Sequence, residues 1–390
     1  MVFDNRYGYN HPLCCNRMDI AEFVKKDVVL VISAILALVS LFLVPFETVT
    51  SYEYSRILET ICTLLFFLLI VAGLKECNAL KKFAEKALQN TKTTTALFLS
   101  LLFLPFFCAM LFSNDVSLLT FVPLGITILS MANMRAMIPI IAILQTAAAN
   151  IGSTLTPFGN PHNLYIFNLS DHYGFTLWEY ESQLIPIVIA GTILLLAIVA
   201  LLPKKPLEVQ LEEEVKLEHK VSLGIITALF VLAILTVIDL VPFYITLIVI
   251  VVAFALMMPQ VFKKVDYSIL LVFFFLFVFA NGMTNIESIH SLLADLMREN
   301  PMLTTVAVSQ FTSNVPSTIL LQPFTNDWAA VVVGADIGGF GTPIASMASI
   351  ITLKLYLREE DSCLKGYLKL FLLINAVILA VLIPTYYLLH

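Results

Sequence analysis

The chain predicts an all-α membrane protein built as an inverted repeat, with two re-entrant hairpins and two broken helices, and three observations carry that prediction. Apolar residues make up 59% of the 390 residues and charged ones only 13%, against about 45–50% and about 25% in soluble domains. Apolar runs near the ~20 residues of a spanning helix recur along the chain. Two polar stretches set inside apolar sequence are near copies of each other. "SNDVSLLTFVP" (Ser113 to Pro123) with "NIGSTLTPFGNPHN" (Asn150 to Asn163) answers to "SNVPSTILLQP" (Ser313 to Pro323) with "DIGGFGTPIASMAS" (Asp336 to Ser349). The Ser-Asn pairs and closing prolines align at one constant offset. Ile151-Gly152 and Thr156-Pro157 align with Ile337-Gly338 and Thr342-Pro343 at a shorter one.

In chain order, residues 1–27 form a polar cytoplasmic N-terminus with no cleavable signal, because the first apolar run, 28–46, is already long enough to span. A second span follows at 58–74, then a basic amphipathic segment at 75–93, with Lys75, Lys81, Lys82 and Lys86, that belongs at the cytoplasmic surface. Residues 95–133 form the first hairpin, 136–168 the first broken helix and 183–203 the exit span. The acidic linker with Glu212, Glu213 and Glu214 and the helix at 221–239 connect the halves. The second half repeats the order: spans at 242–258 and 267–282, a segment at 284–299, a hairpin at 301–323, a broken helix at 325–354 and a last span at 366–388. The domains are therefore a first repeat over 28–203, a linker and connecting helix over 204–241, and a second repeat over 242–390.

Basic residues orient these elements, since cytoplasmic loops are enriched in Lys and Arg. Of 22, only Arg56 and Arg298 fall outside when the N-terminus is cytoplasmic and the C-terminus external. This sorting requires the first hairpin to enter from the cytoplasm and the second from outside, so the halves are inverted. The second hairpin is shorter; the extra residues of the first copy are expected near Met131 to Met137.

A broken helix offers free N–H groups where one half starts and free carbonyls where the other ends. The first suit anions and the second cations. Irregular backbone of this kind survives in a membrane only where protein or a water-filled cavity surrounds it, and paired interruptions point to a transporter's binding site. Gly152, Gly338, Gly339 and Gly341 let the backbone open, and Pro157, Pro161 and Pro343 keep it from continuing as helix. Ser113, Asn114, Asn160, Asn163, Ser313, Asn314, Thr342 and Pro343 are the candidate solute contacts. Asp115, Asn150, Gly152, Thr156, Asp336 and Gly338 are the candidate cation contacts. A lone Ser, Thr or Pro in a membrane helix is ordinarily a packing or kink residue, but here the polar residues recur at matching positions in both halves. Asp115 and Asp336 stand out, because a carboxylate near the bilayer centre costs about 2.5–3.5 kcal/mol; each is a candidate to bind sodium or carry a proton. Asp239, Asp327 and Glu59 fall at span ends, where water solvates them.

The six cysteines and six histidines show neither disulfide nor zinc spacing. With no catalytic cluster and no nucleotide-binding loop, the sequence gives no support to an enzyme or an ATP-driven pump. No cofactor or nucleic-acid partner is expected; sodium is expected only as a coupling ion.

The "SND" and "SNVP" hairpins, with "TPFGNPHN" and "GGFGTPIAS" at the breaks, resemble the ion transporter superfamily over about 28–388. That group includes sodium-coupled di- and tricarboxylate symporters, citrate-metal transporters, arsenite permeases and a branch of sodium/proton antiporters. The resemblance implies scaffold and transport domains moving as an elevator, commonly in a homodimer. It also implies that Ser113, Asn114, Ser313 and Asn314 touch substrate and sodium, with the backbone of Gly152 to Thr156 and Gly338 to Thr342 completing the cation sites. This chain carries Asp115 and Val315 where the symporters carry Thr, and His162 where Pro or Gln is more usual. The expected function is secondary transport of a small anion, of the carboxylate class, with sodium or protons; sodium/proton antiport and arsenite-type permeation are the alternatives.

Overall fold

Runs of Leu, Ile, Val and Phe without charges leave the backbone to satisfy its own hydrogen bonds in lipid, and helices are the outcome. The computed structural model describes residues 28–45, 49, 52, 54–88, 91–204, 217–218, 220–359 and 361–389. The N-terminus with Cys14 and Cys15, and the linker glutamates Glu212, Glu213 and Glu214, lie outside the described residues. The first half comprises α1 (Val28–Leu43), α2 (Tyr54–Glu76), α3 (Ala79–Leu88), α4 (Thr94–Phe112), α5 (Asn114–Met131), α6 (Ile138–Thr154), α7 (Pro161–Phe167), the single turn α8 (Ser170–Tyr173) and α9 (Leu177–Ala200). After α10 (Lys220–Val237) come α11 (Phe243–Met257), α12 (Ser268–Thr284), α13 (Glu287–Glu299), α14 (Pro301–Thr312), α15 (Asn314–Leu321), α16 (Trp328–Gly338), α17 (Met347–Tyr356) and α18 (Leu364–Leu389). The described residues form no strand.

Among the described residues, six segments are long and apolar enough to cross a membrane, and six shorter apolar helices accompany them. The protein is an all-helical, multi-pass membrane protein. Each expected span is met by a helix within a few residues of its predicted ends, and both expected breaks occur: 155–160 between α6 and α7, and 339–346 between α16 and α17.

The hairpins have the unequal lengths expected, and one departure stands out. The arms of the first hairpin are 19 and 18 residues long, about 28 Å each at about 1.5 Å per residue. Those of the second are 12 and 8 residues. The extra residues of the first copy are not a local insertion at Met131 to Met137. They lengthen α5, 18 residues against eight in α15, and α6, 17 residues against 11 in α16.

The helices sort into two packed groups. In one, α1 lies along α12, and α2 lies against α10, α11 and α12. In the other, α4, α5 and α6 pack together, α14, α15 and α16 pack together, and α9 pairs with α18. The two halves interlock through exchanged partners, α5 against α17 and α15 against α7. Aromatic rings hold α9 and the segment before it to α16: Phe175 stacks on Trp328 at 3.9 Å, with Tyr180 of α9 parallel to the same indole at 6.0 Å.

Proline chemistry shapes the first hairpin. Pro105 has no N–H to give to the carbonyl four residues earlier, and that carbonyl, Leu101 O, accepts from Gln145 Nε2 of α6 at 3.1 Å. The same amide reaches Phe121 O of α5 at 3.0 Å, so one buried side chain pins both arms to the broken helix.

Candidate functional site

Each hairpin turns on a serine in a conformation that L-residues rarely adopt. Ser113 has φ 79°, ψ 150° and Ser313 φ 75°, ψ 155°, a region that costs of order 1–3 kcal/mol and persists only where surroundings impose it. In both halves the next amide reaches into the facing helix break: Asn114 N donates to Gly159 O at 3.2 Å, and Asn314 N to Ala345 O at 2.9 Å. The break returns the contact, as Thr156 Oγ1 donates to Met110 O and Thr342 Oγ1 to Gln310 O. Tip and break therefore form one unit, built twice from matching residues.

Close approach at these units demands glycine. A Cβ on Gly152 would lie 2.2 Å from Phe106 O of α4, and Gly341 combines φ 113° with a Cβ position 2.1 Å from Gln310 Oε1. Gln310 is an unanticipated part of the site. Its Nε2 donates to Gly338 O at 3.1 Å and Phe340 O at 2.9 Å, and its Oε1 accepts from Thr342 N at 2.9 Å. The signal was a lone amide in an apolar arm, which burial makes costly unless it is hydrogen-bonded.

The side chains of the first unit run into the second. Asn114 Nδ2 donates to Asn150 Oδ1 at 2.9 Å; the Asn150 carbonyl accepts from Ser153 Oγ at 3.0 Å and Thr154 Oγ1 at 2.9 Å. Asn160, the residue before α7, donates from Nδ2 to Ser153 Oγ at 2.7 Å and to Asp336 Oδ1 of α16 at 3.3 Å. His162 Nε2 lies 3.2 Å from the same oxygen, with both side chains buried. Asn163 Nδ2 donates to the carbonyls of Ser153 and Thr154 at 3.4 and 3.3 Å. Asn314 is buried, with Oδ1 accepting from Val315 N at 3.0 Å, and its Nδ2 sits 3.1 Å from where a Cβ on Gly339 would be. Pro343 is half-buried in the second break.

The structure thus brings Asn114, Asn150, Asn160, Asn163 and Asp336 into one buried network and sets Ser313, Asn314, Thr342, Pro343 and Gly338 around the second tip. Asp115 stands apart, half-buried at the start of α5. His162 is the member that motif reading did not assign, although its unusual place in "NPHN" was a signal. Three buried polar atoms of this region, His162 Nδ1, Asn163 Oδ1 and Asp336 Oδ2, have no hydrogen-bond partner. Such atoms in a protein interior are candidates for contact with a small polar ligand, ion or water. The open carboxylate and amide oxygens fit a hard cation such as sodium. Asp336 Oδ1 does not, because it faces two nitrogens. Among the described residues, no group of three or more His, Cys, Asp or Glu is arranged to hold a metal ion.

Comparison with known proteins adds a family. A profile described as citrate transporter matches residues 20–333. An uncharacterized transporter of Methanocaldococcus jannaschii is 33% identical over 81% of this chain and 87% of its own length. Inner membrane protein YbiR of Escherichia coli is 28% identical over 80% of this chain and 84% of its own length.

Proposed function

Because the chain belongs to the citrate transporter family, we propose that it moves a small carboxylate-class anion by secondary active transport, coupled to protons or sodium. The observation that carries this reading is the buried contact of Asn160 and His162 from the first helix break with Asp336 from the second. A polar centre shared by two interrupted helices is what a solute crossing the membrane requires. No Lys or Arg is expected inside the membrane to meet an anion, so cations taken up with the solute offset its charge. His162 opposite Asp336 supports a proton as one of them, since a proton at either facing atom completes the hydrogen bond. Asp115, at the first tip, supplies a second cation contact.

The helix groups supply the mechanism. The group carrying tips and breaks slides against the group of α1, α2 and α10 to α13 as an elevator, with the two halves inverted in the membrane, the N-terminus cytoplasmic and the C-terminus outside. A homodimer of the second group would hold it fixed. The test is uptake in proteoliposomes under an imposed pH or sodium gradient, with citrate, malate and succinate as solutes. Gradient-driven uptake of at least one is expected, and failure of all three under both gradients would overturn the proposal. Asp336→Asn is expected to keep solute exchange and lose accumulation. The half-buried Asp115 favours a second reading, sodium/proton antiport, which predicts sodium-dependent proton flux with no organic anion present.

A further inference from the structure

Aromatic rings of one helix break pair with rings of the neighbouring helix group; the ring of the other break, Phe340, is buried without such a pair among the described residues. Phe112, last residue of α4 before the first tip, and Phe158, in the adjoining break, both reach across to the neighbouring helix group. Phe158 stacks on Phe67 of α2 at 5.4 Å, and Phe112 meets Phe230 of α10 at 5.1 Å. Phe230 also meets Phe67 edge-on at 6.2 Å and Phe158 at 6.5 Å. Four rings from four segments thus close on one another, two from the group that bears the site and two from its neighbour. Offset-stacked and edge-on rings attract beyond their buried area, and Phe230 alone takes part in three of these four contacts. The corresponding residues of the second half are Thr312 and Ile344, both exposed, Ile344 at 55%. Phe311 beside them is 83% exposed.

We propose that the Phe67, Phe112, Phe158 and Phe230 cluster is a releasable seal, which shuts the first tip and break against the neighbouring helices and leaves the resting molecule open past the second tip. The asymmetry is written in side chains: the backbone bonds of tip to break are the same in both halves, but α15 beyond the second tip packs on α12 without ring pairs, and only the first tip and break meet the neighbouring group ring to ring among the described residues. The inference rests on the sliding of the two helix groups proposed above. Release of the four rings would be the step that exchanges access from one side to the other.

The test reads accessibility, not uptake, so it stands or falls separately from the transport assay. In protein with its six native cysteines replaced by alanine, Leu155→Cys reports the first break and Thr312→Cys the second tip. In oriented vesicles, a membrane-impermeant maleimide applied to the respective face is expected to label Thr312→Cys quickly and Leu155→Cys slowly. Adding Phe230→Ala is expected to speed labelling of Leu155→Cys at least tenfold, equivalent to about 1.4 kcal/mol, without changing Thr312→Cys. Monodisperse elution verifies folding. Should Phe230→Ala not elute so, Phe67→Ala, which loses two of the four contacts, takes its place. Unchanged labelling of Leu155→Cys would overturn the proposal. So would labelling of Thr312→Cys by membrane-permeant maleimide alone, which would set the second tip in lipid.

Discussion

Truncating His162 to Ala leaves the Asp336 carboxylate, 4% exposed, with Asn160 Nδ2 at 3.3 Å as its remaining donor among the described residues. Removing one partner of a buried hydrogen bond leaves the other unsatisfied, at a cost of about 1–3 kcal/mol and more where that group is charged. Asp336→Asn removes the charge but keeps the shape, and strands at most a donor, a loss of about 1–3 kcal/mol. In the double variant the penalty of the first change has no carboxylate to act on. Its total cost should therefore fall below the sum of the two single costs by about 1.5 kcal/mol or more. Unfolding in mixed micelles with increasing SDS, followed by tryptophan fluorescence, yields all three values on one scale; Trp328, two helical turns from Asp336 on α16, is a local reporter. Additivity within about 0.5 kcal/mol, the behaviour of independent sites, would refute the reasoning that these two buried side chains satisfy one another.

Gly152→Ala places a methyl 2.2 Å from the Phe106 carbonyl, so α4 and α6 must separate; a loss of about 1–3 kcal/mol is expected, and an unchanged unfolding midpoint would contradict the close approach. Ser113→Gly relieves about 1–3 kcal/mol of backbone strain against up to about 1 kcal/mol of added chain entropy, so thermal stability should hold or rise while uptake falls; lost stability would show that the Ser113 side chain matters more than its backbone. With Cys14 and Cys15 replaced by Ser, exposed Cys363 should react with impermeant maleimide only after cells are permeabilised, while buried Cys62, Cys77 and Cys108 stay unlabelled; labelling in intact cells would reverse the proposed orientation. Arg135 and Asp361 pair at 3.1 Å but are 61% and 77% exposed, so Arg135→Ala should shift stability by less than about 1 kcal/mol.

The helical architecture was legible because lipid permits few alternatives: an apolar run of sufficient length must satisfy its own backbone, and α9 and α18 formed where hydrophobicity alone located them. The tips and breaks were legible for the opposite reason, since Ser-Asn and Gly-x-x-x-Thr-Pro sequences are costly inside apolar segments. What escaped reading was long-range pairing. Nothing local tells Gln145 that Pro105, on another helix, frees a carbonyl for it, and nothing local tells Gln310 that it will wire the second break. Such partners come from chain segments that the fold alone brings together. The extent of the first hairpin was legible, 95–133 against Thr94–Met131; where the extra residues of the first copy fall was not, because apolar sequence reads the same on either side of a turn.

The deepest asymmetry is also the most informative about chemistry. Asp336 stands in the second half where the first has Asn150, and His162 stands in the first where the second has Ala348. Each departs from the duplicated pattern, and each does so in a different half, yet the exchanged packing of α15 on α7 and the contact of α7 with α16 bring them to 3.2 Å. A carboxylate introduced alone at that depth would be an unpaired buried charge. An imidazole introduced alone would be a buried polar ring with too few partners. Together they form one hydrogen-bonded unit joining the halves, so any motion that parts α7 from α16 must break their hydrogen bond or carry the pair as a body. The second course fits the rigid site-bearing group of the proposed transport mechanism, in which the pair would travel together with the solute.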